Sequence, residues 1–444
     1  MSYASPPPSG YITSILDTDL YKLTMQRAVF ETFPDVDVRY RFTNRGDARF
    51  TRRVEQAVRK AVDHLANVTL TESERAWLEK RCPFFPPSYL DYLASFRFRP
   101  REQLDIEFVP EGQNDQDEEV GNFNIEVTGK WAETILYEVP IMSIISEAYF
   151  TECDTKWDYV GQFENAKAKG KKLFSAGCVV SEFGSRRRRT GLAHDIVMRG
   201  LVEADREYGA GSRVEGRGKL AGTSNVHLAQ KYDVNPIGTI AHEWIMGIAA
   251  LDGYEHCNAR AMELWEKVYP DGSLGIALTD TFTTKPFFED FVANPELAKR
   301  WKGLRQDSGD PITFLHAAKD VFVKVGVDPK TKVIVYSDGL DVDRCLELKE
   351  ASDDAGVGCS FGVGTYLTND FKRVEEPEKQ ETPGDGSIRA NGEKSKALNM
   401  VIKLYKINDD YCVKISDEIN KNTGNPDAVK RVKEQFGLEA HASS

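Results

Sequence analysis

The chain has 444 residues, 41% hydrophobic and 29% charged, enough for two or three domains or for one large α/β barrel beside a smaller domain. Its formal net charge of −12 and pI of about 5.3 exclude a general affinity for the phosphate backbone of nucleic acids, though not a local basic pocket for a small anion. No apolar run approaches the roughly 18–20 residues of a membrane helix. Seven scattered cysteines with no C-x-x-C pair read as reduced thiols of a cytosolic protein, so the cytoplasm is the expected location, with the nucleus open to it as well.

In chain order, residues 1–10 (MSYASPPPSG) lack the charged and apolar regions of a secretory signal and read as a disordered, proline-rich lead. Residues 11–145 mix helix with extended runs at 36–42, 104–108 and 123–129, and read as an N-terminal α+β domain. Within them, 110–121 is rich in Glu, Gln, Asn and Asp and reads as a mobile surface insertion. Residues 146–366 read as the barrel domain, and between about 175 and 365 they fall into a rhythm of short β-branched runs (178–182, 236–240, 274–278, 332–336, 358–363) and helix-length stretches such as 187–206 and 311–325. Strands alternating with helices argue for βαβ units and a parallel sheet. A charged, Pro- and Gly-rich segment at 372–396 reads as a second mobile loop. Residues 397–444 carry apolar runs at 398–407 and 411–415, and are expected to pack on the N-terminal domain.

Seven successive strand ends are polar, charged or glycine-rich: Glu182, the 221–225 segment, Thr239 to Glu243, Asp280, Arg305 to Asp310, Ser337 to Gly339, and Gly362 to Thr365. In a parallel barrel these ends open on one face, which is the active site. Helix caps explain Ser, Thr, Asp and Asn in such loops, but caps do not require a histidine, an arginine or paired acids. Gly362, Gly364 and Thr365 suit a phosphate, because glycine lets backbone N–H groups approach an anion and threonine adds a hydroxyl. Of the four arginines at 186–189, one or two can face the pocket, and Arg186 is nearest the strand end. His242 can act as acid, base, metal ligand or nucleophile. No second histidine or cysteine lies at metal-ligand spacing, which disfavours zinc and leaves proton transfer or covalent catalysis. Asp280, Asp307, Asp310 and Asp338 make sense if Mg2+ bridges them to phosphate, or if they hold a ribose hydroxyl or steady a cationic sugar. Arg305 beside Asp307 also reads as an ordinary ion pair.

Eight stretches in one order carry a resemblance: TDLYKLTM (18–25), EFGSRR (182–187), GTSN (222–225), GTIAHEW (238–244), LTDTF (278–282), RQDSGD (305–310), YSD (336–338) and FGVGT (361–365). Over nearly its whole length the chain resembles the nicotinate phosphoribosyltransferases, and its tail NPDAVKRVK (425–433) is similar to the fungal-type branch. The resemblance implies an irregular, incomplete TIM-like α/β barrel joined to an open α+β domain. It implies that nicotinate attacks C1 of phosphoribosyl pyrophosphate to give nicotinate mononucleotide, the first step of NAD synthesis from nicotinate. It further implies that ATP, as co-substrate, transiently phosphorylates His242, with Glu243 and Asp280 as catalytic partners. Tyr21 would stack on the base from the neighbouring subunit of a homodimer. Thr239 and Arg305 would also bind nicotinate, with Arg305 pairing its carboxylate. Arg186, Asp307, Ser337, Asp338, Gly339, Gly362, Gly364 and Thr365 would bind phosphoribosyl pyrophosphate, with Mg2+ near Asp280 and Asp307. No nucleic-acid or membrane partner is expected. The nearest rival is nicotinamide phosphoribosyltransferase, against which the TDLYK pattern speaks. A quinolinate enzyme lacks the AHE motif, a barrel aldolase wants a lysine at a strand end, and a non-catalytic relative would have lost His242, Arg305 or Asp307.

Overall fold

The computed structural model describes residues 12–209, 217–270, 272, 274–374, 392–418 and 422–438. The expected lead at 1–10 and most of the 372–396 loop lie outside them. The strands, in chain order, are β1 (Asp37–Asn44), β2 (Phe50–Thr51), β3 (Leu104–Gln113), β4 (Glu119–Lys130), β5 (Val179–Glu182), β6 (Lys219–Thr223), β7 (Ile276–Leu278), β8 (Gly303–Gln306), β9 (Val333–Tyr336), β10 (Gly358–Val363), β11 (Phe371–Lys372), β12 (Lys394–Ser395), β13 (Met400–Ile407) and β14 (Asp410–Tyr411).

Strict alternation along β1 buries Val38, Tyr40 and Phe42 and exposes the residues between, the period-two pattern of a sheet with one wet face. β1 is central in an antiparallel sheet ordered β14-β13-β1-β4-β2, with β3 also paired to β4. Tyr40 sits opposite Leu404 on one side and Val127 on the other, so a strand from beyond residue 400 completes the N-terminal sheet. The 110–121 segment is not a loop. The β3–β4 ladder runs through it to the pair Gln113–Glu119, and Asn114 Oδ1 closes the turn by accepting from Gln116 N and Glu118 N, both at 3.0 Å. Its polarity marks an exposed hairpin tip, with Asn in its usual turn role.

The second sheet is wholly parallel, in the order β6-β5-β10-β9-β8-β7. The strand expected at 236–240 is absent. Only Pro236 bridges, to Thr223, and proline cannot donate to a ladder. The segment still closes the barrel. Ile237 N donates to Thr223 O (2.8 Å) on the β6 side, and the Thr239 hydroxyl reaches Ile276 O (3.4 Å) on the β7 side. The result is the irregular α/β barrel with a second, antiparallel domain. The helix expected from 187 begins at Gly191, capped by Thr190 Oγ1 accepting from Ala193 N (3.0 Å). Among the described residues no helix is long and apolar enough to cross a membrane.

One lysine holds the face of the barrel opposite the strand C-termini. Buried Lys332, just before β9, donates to the carbonyls of Ala298, Lys299 and Trp301 at the end of helix Pro295–Arg300. Cations stabilise helix C-termini, and buried carbonyls left bare cost free energy. Lys332→Met is expected to lower stability in urea unfolding by about 2 kcal/mol with little change in activity.

Candidate active site

The C-terminal ends of the barrel strands face the antiparallel sheet across a cleft of about 1240 Å3. The strands deliver their chemistry through their last residues and the turns that follow. The turn after β5 brings Phe183 and Arg186, and β8 carries Arg305 one residue before its end and leads into Asp307. Ser337, Asp338 and Gly339 follow β9, and Gly362, Gly364 and Thr365 come from the end of β10. His242 and Glu243 open helix His242–Asp252, and Tyr21 comes from helix Leu20–Thr32.

Three expected site residues lie outside the lining. Asp310 caps helix Pro311–Lys324, where Oδ1 accepts from Thr313 N at 2.7 Å. Thr239 turns its hydroxyl back to the barrel seam, while its carbonyl accepts from Thr24 Oγ1 at 2.6 Å. Asp280 is fully buried beneath the floor, where Oδ2 accepts from Ser308 Oγ (2.6 Å) and Lys414 Nζ (3.2 Å).

His242 is only 6% exposed. Its Nδ1 is 3.0 Å from Thr281 Oγ1; its Nε2 is 3.2 Å from Asp307 Oδ2 and 3.7 Å from Asp280 Oδ1. Burial, helped by the nearby Lys414 ammonium, outweighs both carboxylates and pulls the imidazole down to about 4. A position in the first turn of a helix disfavours a cation further. The ring is therefore neutral at physiological pH, with one nitrogen lone pair available. The hydrogen-bond pattern favours N–H at Nε2, donating to Asp307, with the Thr281 hydroxyl donating to Nδ1.

Asp307 organises the floor. Burial alone would raise its carboxyl, but the Arg305 guanidinium holds it well below the usual carboxylate range. Arg305 Nη2 donates to Asp307 Oδ1 (3.0 Å), and Arg305 Nε donates to Ser337 Oγ (2.8 Å), which in turn donates to Asp307 Oδ1 (2.7 Å). The guanidinium lies 5.9 Å from the centre of the Phe183 ring.

The four arginines separate cleanly. Arg186 and Arg187 line the cleft. Arg188 makes a bidentate pair with Asp17, both bonds 2.7 Å. Arg189 is fully buried against the rings of Phe150 (3.7 Å) and Phe371 (4.6 Å). Gly362 owes its lack of a side chain to packing: a Cβ there would lie 2.4 Å from the Phe183 ring.

Tyr21 was expected from a neighbouring subunit; within this chain it already lines the cleft, 6.0 Å from the Arg186 guanidinium. Its placement has a local cause. Leu20 N donates to Ser224 O (2.8 Å) and Asp19 bridges Asn225, which pins the start of this helix to its own barrel. Glu243 also differs from the expected catalytic part. Its Oε1 accepts from Tyr40 OH (2.5 Å) and Trp131 Nε1 (2.8 Å), and its Oε2 holds Lys22.

Several cleft residues were not singled out from the sequence. Phe183 stood within the EFGSRR stretch, an aromatic directly after a strand. Lys403, on β13, was visible as a charge inside an apolar run. Burial, the largest influence, lowers its ammonium to about 7 despite the attraction of Glu138. An anion bound beside it would raise that value. Affinity for an anionic substrate is therefore expected to weaken as pH climbs above about 7, and Lys403→Met is expected to remove that dependence, read from KM against pH.

The C-terminal residues 178–440 match the model of the nicotinate phosphoribosyltransferase (NAPRTase) family, and residues 16–146 match the model of its N-terminal domain. The chain belongs to the nicotinate phosphoribosyltransferase family. It is 41% identical to a probable nicotinate phosphoribosyltransferase of Schizosaccharomyces pombe over 96% of this chain and 98% of the relative. It is 40% identical to the Saccharomyces cerevisiae nicotinate phosphoribosyltransferase over 96% and 95%. A crystal structure of a putative nicotinate phosphoribosyltransferase from Saccharomyces cerevisiae superposes with a TM-score of 0.87 at 39% identity, covering 97% of this chain and 99% of that one. As a member of this enzyme family the chain has a cleft suited to anions. Eight lysines and arginines line it against seven acids, in a chain whose net charge is −12.

Proposed function

We propose that this chain joins nicotinate to phosphoribosyl pyrophosphate, and that ATP drives the reaction by phosphorylating His242. The observation that carries this reading is the neutral, buried imidazole on the floor of a cleft that Arg186, Arg187, Arg305 and Lys403 line, with an ionised carboxylate against one nitrogen. In the phosphorylation step the Nδ1 lone pair of His242, released from the Thr281 hydroxyl, forms an N–P bond to the γ-phosphorus of ATP as the P–O bond to ADP breaks. Positive charge grows on the ring and Asp307 offsets it. Water later releases phosphate from His242.

In the transfer step the glycosidic nitrogen of nicotinate bonds to C1 of the ribose as the C1–O bond to pyrophosphate breaks. Positive charge builds on the sugar and negative charge on the leaving group. Arg186, Arg187 and Lys403 face the anionic side, and Gly364 with Thr365 offers N–H and hydroxyl donors to the 5-phosphate. Tyr21 and Phe183 give aromatic faces for the pyridine ring. Arg305 would meet the carboxylate of nicotinate, and an amide there would leave its charge poorly matched.

Asp280 Oδ1 is buried and receives no hydrogen bond, 3.7 Å from His242 Nε2 and within a group that also holds Asp307. Hard carboxylate oxygens so placed fit Mg2+, which when bound would neutralise phosphate charge during transfer. The product would enter NAD synthesis from nicotinate.

The test is nucleotide formation from phosphoribosyl pyrophosphate, Mg2+ and ATP, offering nicotinate and nicotinamide separately. Conversion of nicotinate in preference to nicotinamide is the expected result. The reverse preference would overturn the base assignment, and no conversion of either would overturn the activity.

A further inference from the structure

Behind Arg186 runs a chain of largely buried charges, in which Glu138 and Glu243 still border the cleft and Lys22 does not. Arg186 Nη1 donates to Glu138 Oε1 at 3.2 Å. Glu138 Oε2 holds the Lys22 ammonium at 2.5 Å, and the same ammonium donates to Glu243 Oε2. Glu243 Oε1 takes the Tyr40 hydroxyl and the Trp131 indole. The Lys22 side chain has no exposed surface, and those of Glu138 and Glu243 are each 8% exposed.

Two cations face two carboxylates, so the charges cancel, and each of the four carboxylate oxygens has a donor. Such a network is rigid, because displacing any member strips a buried charge of its partner. It spans four elements: helix Leu20–Thr32, helix Glu138–Glu152, helix His242–Asp252 and the turn after β5. Arg186, with 36% of its side chain exposed, is the member most open to the cleft.

We propose that Lys22, through Glu138, is a positioning residue that sets the Arg186 guanidinium for phosphoribosyl pyrophosphate, and that Glu243 anchors this strut rather than moving protons. The inference rests on the transferase reading above. The backbone before Tyr21 is pinned through Leu20 and Asp19, and its ring is only a loose neighbour of Lys22 (5.7 Å) and Arg186 (6.0 Å), so the base end should stay in place when the strut is broken.

The test compares Lys22→Met, Glu243→Gln and the double variant with wild type, by thermal unfolding and by steady-state kinetics across pH. Lys22→Met is expected to lower the melting temperature and to raise the KM for phosphoribosyl pyrophosphate about tenfold or more, with the KM for nicotinate and kcat within about threefold. The double variant removes one charge of each sign. It should regain most of the melting temperature while keeping the raised KM, since Glu138 still lacks its lysine. If KM recovers together with stability, the strut is only structural and the inference fails. It fails likewise if Glu243→Gln changes the shape of the kcat profile against pH, which would make Glu243 an acid or base. Should Lys22→Met not fold, the double variant decides alone on its KM. Wild type assayed alongside separates the two levels: an inactive wild type overturns the transferase reading, whereas an active one with unselective variants overturns only the strut.

Discussion

His242→Ala is expected to lose all stimulation by ATP and to fall by about 100-fold or more in nucleotide formation under saturating ATP. The argument is local. The imidazole is a neutral nucleophile on the cleft floor, and its environment keeps it so: burial and Lys414 against two carboxylates. Alanine leaves Thr281, Asp307 and the barrel scaffold in place, so binding of both substrates should persist. Nucleotide formation with and without ATP, together with acid-labile incorporation of the γ-phosphate, measures both halves. Wild-type labelling that disappears in the variant is expected. Equal ATP stimulation in both proteins would remove the phosphohistidine from the mechanism while leaving the transferase intact.

Asp307→Asn should do comparable damage, by about 100- to 1000-fold in kcat, for a different reason. Asp307 accepts from Arg305 and Ser337 through one oxygen and faces His242 with the other. An amide presents an NH2 group to one of these neighbours and carries no charge for any of them. Arg305 is then left without its counter-charge, the growing positive charge on His242 is not offset, and a carboxylate fitted to Mg2+ is lost. Because Arg305 is disturbed as well, the KM for nicotinate is expected to rise with the fall in kcat, whereas His242→Ala should leave it nearly unchanged. That contrast, read from steady-state kinetics of the two variants side by side, distinguishes the carboxylate as organiser from the imidazole as nucleophile.

The barrel was legible because its strands are short, apolar and closed by residues that local packing does not demand, such as His242, Arg305 and Asp307. The irregular 236–240 segment was misread as a strand for the same reason. Its apolar pattern matches a ladder, but Pro236 has no N–H and the chain passes Tyr21 closely at Gly238, where a Cβ would lie 2.9 Å from Tyr21 N. The hairpin tip at 110–121 was misread from composition, which reports exposure and says little of backbone pairing when the turn is held by an Asn side chain. Partners distant in the chain left no local trace. Nothing around Glu243 announces Lys22 or Tyr40, and nothing in the 411–415 run announces that Lys414 reaches Asp280. Asp280 and Thr239 were placed in the site through their motifs, yet a strand end of one or two residues decides whether a side chain reaches the cleft or stops beneath it.

The late arrival of β13 has a consequence for synthesis on the ribosome. This strand both fills the gap beside β1 and carries Lys403 to the cleft, and Lys414 follows it. A nascent chain that has already folded its barrel still presents an N-terminal sheet with β1 unpaired on one side, and a cleft without Lys403 and Lys414. Pairing across so long a separation is slow and comes late. His242, Arg186 and Arg305 can therefore be in place on the barrel before the lysines that face them from beyond residue 400.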